Sequence, residues 1–172
     1  MNIVIAGMGK VDREILHWLQ ADLGALFGGV VSIGLDLVLP EYAFNQYKNR
    51  YFSSPIADRI AENPAYRAFR RVLGVIEADL YIPGSEFVFG DASGRAAVVS
   101  TVRLRPEFYG MGADAGLLRK RALTAAAHEL GHTYGLFHCA NGRCVMSYSR
   151  DVAHMDAKGP QFCVPCASRL GP

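Results

Sequence analysis

The stretch HELGHTYGLFHC, residues 128–139, determines how the chain is interpreted. The residues before it are rich in alanine and leucine and free of proline, so we predict one long helix from Ala115 to Leu136. His128 and His132 are four residues apart on this helix, which places both imidazoles on the same face. Their spacing suits a single metal ion.

The predicted end of this helix adds a third histidine. Gly135 is a natural left-handed position that reverses the chain, and the reversal can bring His138 back under the metal. Three protein ligands leave a fourth position for water, which is typical of a catalytic zinc site. Glu129 is placed to reach a metal-bound water rather than the metal itself. The full spacing H-E-x-x-H-x-x-G-x-x-H fixes five residue types, so it is far more specific than H-E-x-x-H alone.

All cysteines of the chain follow the helix as two close pairs: Cys139, Cys144, Cys163 and Cys166. The spacing C-x4-C and then C-x2-C predicts a structural zinc held by four thiolates. Two disulfides, or a redox-active pair at Cys163 and Cys166, are the alternatives. Neighbouring residues of an extended chain point in opposite directions, so His138 and Cys139 can serve two different metal ions.

Upstream of the helix, strand-like apolar runs alternate with helical patterns, which indicates an α/β fold with a mixed, mostly parallel twisted sheet. We predict strands at 1–9, 30–39, 75–82 and 96–104, and helices at 11–26 and 56–72. A short extended piece at Glu86–Phe89 is a candidate antiparallel edge strand, where an extended substrate could pair. The GMGK after the first strand lacks the third glycine of a dinucleotide fingerprint, so we predict no nucleotide site.

The chain changes character after Gly135, becoming dense in cysteine, glycine and proline. Such a short segment buries too little apolar surface to stay folded without a cross-link, such as a bound metal ion, which acts as a staple. We therefore predict an N-terminal α/β subdomain at 1–135 that includes the active-site helix. A small Cys-rich, zinc-stapled C-terminal subdomain follows at 136–172, and the two form one catalytic domain.

The charge pattern gives no support for nucleic-acid or membrane binding. The 172 residues include 18 basic and 16 acidic side chains, with no dominant basic stripe. No apolar run approaches the length that spans a bilayer, and MNIVIAGMGK lacks the basic start of a signal peptide. We expect a cytoplasmic monomer, and a reducing compartment argues against disulfides.

These motifs together resemble those of the archaemetzincins, a branch of the metzincin zinc peptidases. The resemblance rests on HELGHTYGLFH running directly into Cys139, on Cys144-Val145-Met146, and on FCVPC at 162–166. It implies a metzincin-like fold in which Met146 forms a hydrophobic floor beneath the zinc ligands, the methionine turn. The implied ligands are His128, His132 and His138 for a catalytic zinc, and the four cysteines for a structural one.

The implied activity is hydrolysis of peptide bonds in a peptide or protein substrate. Zinc would lower the pKa of a bound water, and Glu129 would act as the general base. Tyr148 is a candidate contact to the zinc or the developing oxyanion, with a packing role as its alternative. Aminopeptidase and endopeptidase activity are both open. The alternative function is a non-catalytic zinc protein that binds peptide or a partner without turnover.

Overall fold

The computed structural model describes residues 1–170, and in that part of the chain eight strands and five helices form. The strands are β1 Asn2–Met8, β2 Val30–Ile33, β3 Phe44–Asn45, β4 Arg50–Phe52, β5 Arg71–Ile76, β6 Leu80–Tyr81, β7 Gly90–Ser93 and β8 Ala96–Ser100. The helices are α1 Arg13–Phe27, α2 Ser53–Glu62, α3 Ala115–Thr133, α4 Val152–Lys158 and α5 Val164–Ala167.

The main sheet has five strands in the order β2-β1-β5-β8-β7. Its first four strands run parallel, and β7 pairs antiparallel with β8 at the edge. Every residue of β8 is buried, and so is all of β1 after Asn2, because helices cover both faces of a parallel sheet. The predicted mixed, mostly parallel sheet with helices is confirmed.

Several predicted boundaries are wrong. The helix predicted at 56–72 is α2, which ends at Glu62 because Asn63 precedes Pro64 and is pushed out of helical backbone. The strand predicted at 75–82 is two strands, β5 and β6, which belong to different sheets. The strands predicted at 30–39 and 96–104 are shorter, as β2 and β8. Strands β3 and β4, which were not predicted, form a small second sheet with β6.

The edge strand is also displaced from its predicted position. In the predicted stretch Glu86–Phe89, Val88 forms only an isolated antiparallel bridge with Leu80. The antiparallel edge strand of the main sheet is β7, which starts at Gly90. The pairing of Ser93 with Ala96 leaves a two-residue turn whose first residue, Gly94, has a φ of 55°. The composition of β7 is typical of a turn. Its pairing with the apolar β8 overrides that local preference.

The segment after α3 packs into the same hydrophobic core as the sheet. Val145 and Met146 are fully buried in one cluster with Ile5 and Leu73 of the sheet, on the face that α1 and α3 cover. The predicted C-terminal subdomain therefore shares its core with the rest, and its last two residues lie outside the described ones. None of the helices in residues 1–170 is long and apolar enough to cross a membrane.

Candidate active site

Helix α3 carries the first part of the site and ends in a reversal that delivers the rest. Asp114 caps its start, accepting a hydrogen bond from the Leu117 N–H at 2.9 Å. At the other end, the Leu136 N–H donates to the Gly131 carbonyl at 3.1 Å and the Gly135 N–H donates to the His132 carbonyl at 2.9 Å. Gly135 has a φ of 83°, so this is a Schellman ending, which turns the chain back toward the helix.

The three histidines of the stretch converge as the sequence predicted. One ring nitrogen from each of His128, His132 and His138 lies within 4.8 Å of the others. The Nδ1 atoms of His128 and His132 lie 2.7 Å from the Val145 carbonyl oxygen and 2.8 Å from the Leu136 carbonyl oxygen. A carbonyl only accepts, so each Nδ1 carries the proton and each Nε2 presents a lone pair.

This donor set fits a zinc ion. The Nε2 atoms of His128 and His132 are 3.1 Å apart. Two lone pairs facing each other at that distance repel unless a cation lies between them. Ligand nitrogens 2.0–2.1 Å from a tetrahedral zinc are separated by about 3.3 Å, close to the observed spacing.

Burial changes the pKa values of two of the histidines and of Glu129. Burial, with a contribution from Lys158, lowers the pKa of His128 to about 3. Burial also lowers the pKa of His138. Burial first, and then the carboxylate of Asp91, raise the pKa of Glu129 to about 8. A carboxyl group with such a pKa can both accept and return a proton near neutral pH.

The histidines and Glu129 face a cavity of about 350 Å³. Gly90 and Asp91 of the edge strand β7 line one wall. A Cβ atom at Gly90 would lie 2.6 Å from the Glu129 Cγ, so only glycine lets the strand approach the glutamate this closely. The predicted candidate Tyr148 also lines the cavity. It is 62% exposed, and its ring centroid lies 5.3 Å from that of His138.

Met146 lies beneath the helix, in the position expected of a floor. A Cβ atom at Gly131, between the two helical histidines, would lie 2.4 Å from the Met146 sulfur. The Met146 carbonyl also accepts a hydrogen bond from the Cys139 N–H at 2.9 Å. This contact joins the floor to the segment that carries His138.

The four cysteines form a second cluster, separate from the histidines. Their sulfur atoms lie within 4.8 Å of one another, all four thiols are free, and those of Cys139 and Cys163 are 3.8 Å apart. That distance is far beyond a disulfide bond, and it matches the edge of about 3.8 Å of a tetrahedron with zinc–sulfur bonds of 2.3 Å. Burial and the neighbouring sulfurs raise the pKa of Cys166, and burial raises that of Cys144. A bound cation would offset this resistance to ionisation.

Two further charged residues belong to the site but were not found from the sequence. Asp91 lies near Glu129 and accepts hydrogen bonds from the hydroxyls of Ser53 and Ser54, both at 2.7 Å. Lys158, at the end of α4, is a buried lysine on the cavity wall, and burial lowers its pKa to about 8. Neither residue has a motif around it, and both reach the site only through the fold.

Comparison with known proteins gives matches along nearly the whole chain. The model of peptidase family M54 matches residues 45–171. An archaemetzincin of Methanocaldococcus jannaschii is 40% identical over 172 residues, covering 99% of this chain and 93% of its own. The crystal structure of an archaemetzincin from Methanopyrus kandleri superposes with a TM-score of 0.83 at 31% identity, covering 98% of this chain and 93% of that one.

A zinc-dependent peptidase from Methanocorpusculum labreanum superposes with a TM-score of 0.86 at 30% identity, covering 98% of this chain and 100% of that one. These matches show the class, and the protein is a zinc metallopeptidase. Within that class, the chain belongs to peptidase family M54, the archaemetzincins.

Proposed function

We propose that the chain hydrolyses peptide bonds at the cavity above α3, with one zinc ion at the histidines and a second at the cysteines. One observation carries the proposal: three imidazoles converge beside a buried carboxyl group, and all four side chains face the same cavity. A purely structural zinc site would have no use for Glu129 or for an open side.

The ligands of the catalytic zinc would be His128, His132 and His138. Their Nδ1–H hydrogen bonds to backbone carbonyls, observed for the first two, fix the ring orientations. When bound, zinc supplies Lewis acidity, which lowers the pKa of a water molecule and stabilises negative charge on the scissile carbonyl oxygen. Met146 supports the two helical ligands from below.

Glu129 would move the proton. Its carboxylate accepts a proton from the attacking water and then delivers it to the leaving amine nitrogen. The burial that raises its pKa suits both steps, since neither protonation state is strongly favoured near neutral pH. Tyr148, on the cavity wall beside His138, would donate a hydrogen bond from its hydroxyl group to the developing oxyanion.

The substrate would bind as an additional strand. β7 is the edge of the main sheet and lines the cavity, so its outer backbone groups can pair with an extended peptide. The cavity wall runs from Phe87 to Ala92, so the role that the sequence suggested for Glu86–Phe89 extends into β7.

The second zinc would be structural and held by Cys139, Cys144, Cys163 and Cys166. Four thiolates complete a tetrahedron and leave no position for water. None of these cysteines lines the cavity of the histidine site. The zinc would hold together the segment after α3, which was predicted as a stapled subdomain at 136–172.

The test is digestion of a broad peptide library by the zinc-loaded protein and by Glu129→Gln. We expect the variant to keep both zinc ions and to lose about 10²–10⁴-fold in kcat/KM, because only the proton transfer is removed. Glu62→Gln, at the exposed end of α2, is the matched control and should cleave normally.

Cleavage by Glu129→Gln at the rate of the unchanged protein would refute the proton-transfer role. If the unchanged protein binds both ions and cleaves no peptide, hydrolysis itself is contradicted, and a non-catalytic peptide-binding function is favoured instead.

A further inference from the structure

Lys158 is an unusual lysine, because its ammonium group is buried at the centre of the candidate site. Only 7% of the residue is exposed. Its Nζ donates hydrogen bonds to the carbonyl oxygens of Val145 at 2.6 Å and Ser147 at 2.5 Å. These two carbonyls flank Met146 on either side. The lysine therefore bridges the ends of the turn that forms the floor of the site.

The same lysine shares an acceptor with a histidine of the triad. The Val145 carbonyl accepts from the His128 Nδ1–H at 2.7 Å as well as from Lys158. The Lys158 Nζ and the His128 Nδ1 are 3.3 Å apart, as two donors that converge on one oxygen. A hydrogen bond at Nδ1 sets the direction of the ring, so whatever fixes this carbonyl also aims the His128 Nε2.

The position of Lys158 is set by the helix that carries the histidines. Arg121 of α3 donates to both carboxylate oxygens of Asp156, at 2.8 and 2.7 Å, two residues before Lys158. Lys120 of α3 donates to the Asp156 carbonyl at 3.0 Å. These contacts hold α4 against α3, and they place Lys158, the last residue of α4, beside His128.

Burying this ammonium group has an energetic cost that packing does not explain. Within residues 1–170, no carboxylate lies within ion-pairing distance of the Lys158 Nζ, although the carboxylate of Glu129 attracts it from farther away. Burying a charge that forms no ion pair is costly, and an apolar side chain of similar length would fill the same space without that cost. The hydrogen bonds to the turn are what the lysine adds.

We propose that Lys158 is a positioning residue that locks the methionine turn against His128 and thereby aims the His128 Nε2 at the metal. This role presupposes that the histidines bind zinc, as proposed above. The role predicts the direction in which metal affinity changes when Lys158 is replaced. A cation next to the ligand repels a metal ion, so if Lys158 acted only through its charge, removing it would tighten metal binding. If it positions the ring, removing it weakens metal binding.

The test is metal affinity at each site in Lys158→Met, measured by chelator competition on the full chain. Cobalt(II) distinguishes the two sites, because only the thiolate site gives sulfur-to-metal charge-transfer absorption. We expect the affinity of the histidine site to fall about tenfold or more, as is typical when the partner of a ligand is lost. We expect the affinity of the cysteine site to stay unchanged. The kcat should fall while KM changes little.

Lys10→Met is the matched control, since Lys10 is an exposed lysine in the loop between β1 and α1 and takes no part in the contacts that place α4. Its histidine site should bind cobalt and zinc as the unchanged protein does. Lys158→Gln keeps a donor and removes the charge, so it should lose less affinity than Lys158→Met. Lys158→Gln is also the variant to measure if Lys158→Met does not fold.

Histidine-site affinity that is unchanged or tighter in Lys158→Met would overturn the proposal. Equal weakening at both sites would also overturn it, because that result indicates a general loss of structure. If only Lys158→Gln folds, selective weakening at its histidine site supports the role, and affinity tighter than that of the unchanged protein, the result expected when only a repelling charge is lost, refutes it. The affinity measurement needs no peptide cleavage, so a failure of the proposed hydrolysis and a failure of this role are separate results.

Discussion

The histidine cluster and the cysteine cluster are joined by one peptide bond, between His138 and Cys139, and yet they differ in their access to the cavity and in the charge of their side chains. The histidine cluster opens onto a cavity of about 350 Å³ and has Glu129 beside it. The cysteine cluster lines no part of that cavity, and both Cys144 and Cys166 are buried. One site can admit a substrate, and the other cannot.

With zinc bound as proposed, the difference in ligand charge would let the same kind of ion act catalytically at one cluster and structurally at the other. Neutral imidazoles, such as His128 with its pKa lowered to about 3, leave the double charge of a zinc ion uncompensated. That charge is then available to polarise a water molecule and a carbonyl. Four thiolates more than neutralise the same ion and complete its coordination, so it can only stabilise structure.

The two clusters are also connected by direct contacts, and we expect these contacts to couple them. The Cys139 N–H donates to the carbonyl of Met146, and Met146 packs beneath Gly131 between the two helical histidines. The cysteine cluster, the closed site, therefore holds one end of the turn at Met146. This turn packs beneath the histidine cluster, the open site. The following changes test this coupling, from the largest expected effect to the smallest.

Cys139→Ser should have the largest effect, because it removes a proposed ligand of the cysteine-site zinc next to His138, a proposed ligand of the histidine-site zinc. We expect loss of the cysteine-site zinc, a fall in melting temperature and weaker zinc binding at the histidines, since structural zinc binding contributes directly to folding. Metal content and chelator competition measure both sites. Ala140→Ser, at the exposed neighbour, should change neither. Wild-type affinity at the histidine site of Cys139→Ser would show that the sites are independent.

Gly131→Ala should have an intermediate effect, confined to the contact between α3 and the floor. The new methyl group would lie 2.4 Å from the Met146 sulfur, so one of them must move. Overpacking of this kind costs about 1–3 kcal/mol in the free energy of unfolding, measured by denaturant titration. Gly112→Ala is the control, since nothing lies within 4 Å of its added carbon. If both variants are equally stable, the floor is looser than the structure indicates.

Asp91→Asn should have the smallest effect, a shift in the pH dependence of the open site alone. Glu129 must be ionised to accept a proton, so kcat/KM falls as the pH drops through its pKa. Burial raises that pKa most, and the Asp91 carboxylate raises it further. Removing the negative charge should therefore move the acid limb of the pH profile to lower pH. Asp58→Asn, which removes the charge of a carboxylate that accepts a hydrogen bond from Ser93 of the same strand, should leave the limb in place. A shift to higher pH in Asp91→Asn would contradict the assignment.

The parts of the site that the sequence predicted are those that depend on local geometry. The i,i+4 spacing on a helix and the reversal at Gly135 are properties of consecutive residues, so the convergence of the histidines followed from spacing. The edge strand was misplaced because Gly90–Ser93 has the composition of a turn and becomes a strand only through pairing with β8. Lys158 is 30 residues from His128, and Asp91 is 38 residues from Glu129. Only the packing of α4 and β7 against α3 brings these charges to the site.

The most direct measurement is zinc content per chain by elemental analysis, with a thiol titration on the same sample before and after chelation. Two sites with different ligands predict two zinc ions per chain, and four thiols that become reactive only when a chelator removes the metal. One zinc ion per chain, with no thiol reactive even after chelation until a reductant is added, would mean that the cysteines form two disulfides. That result would contradict the account of a closed zinc site next to an open one.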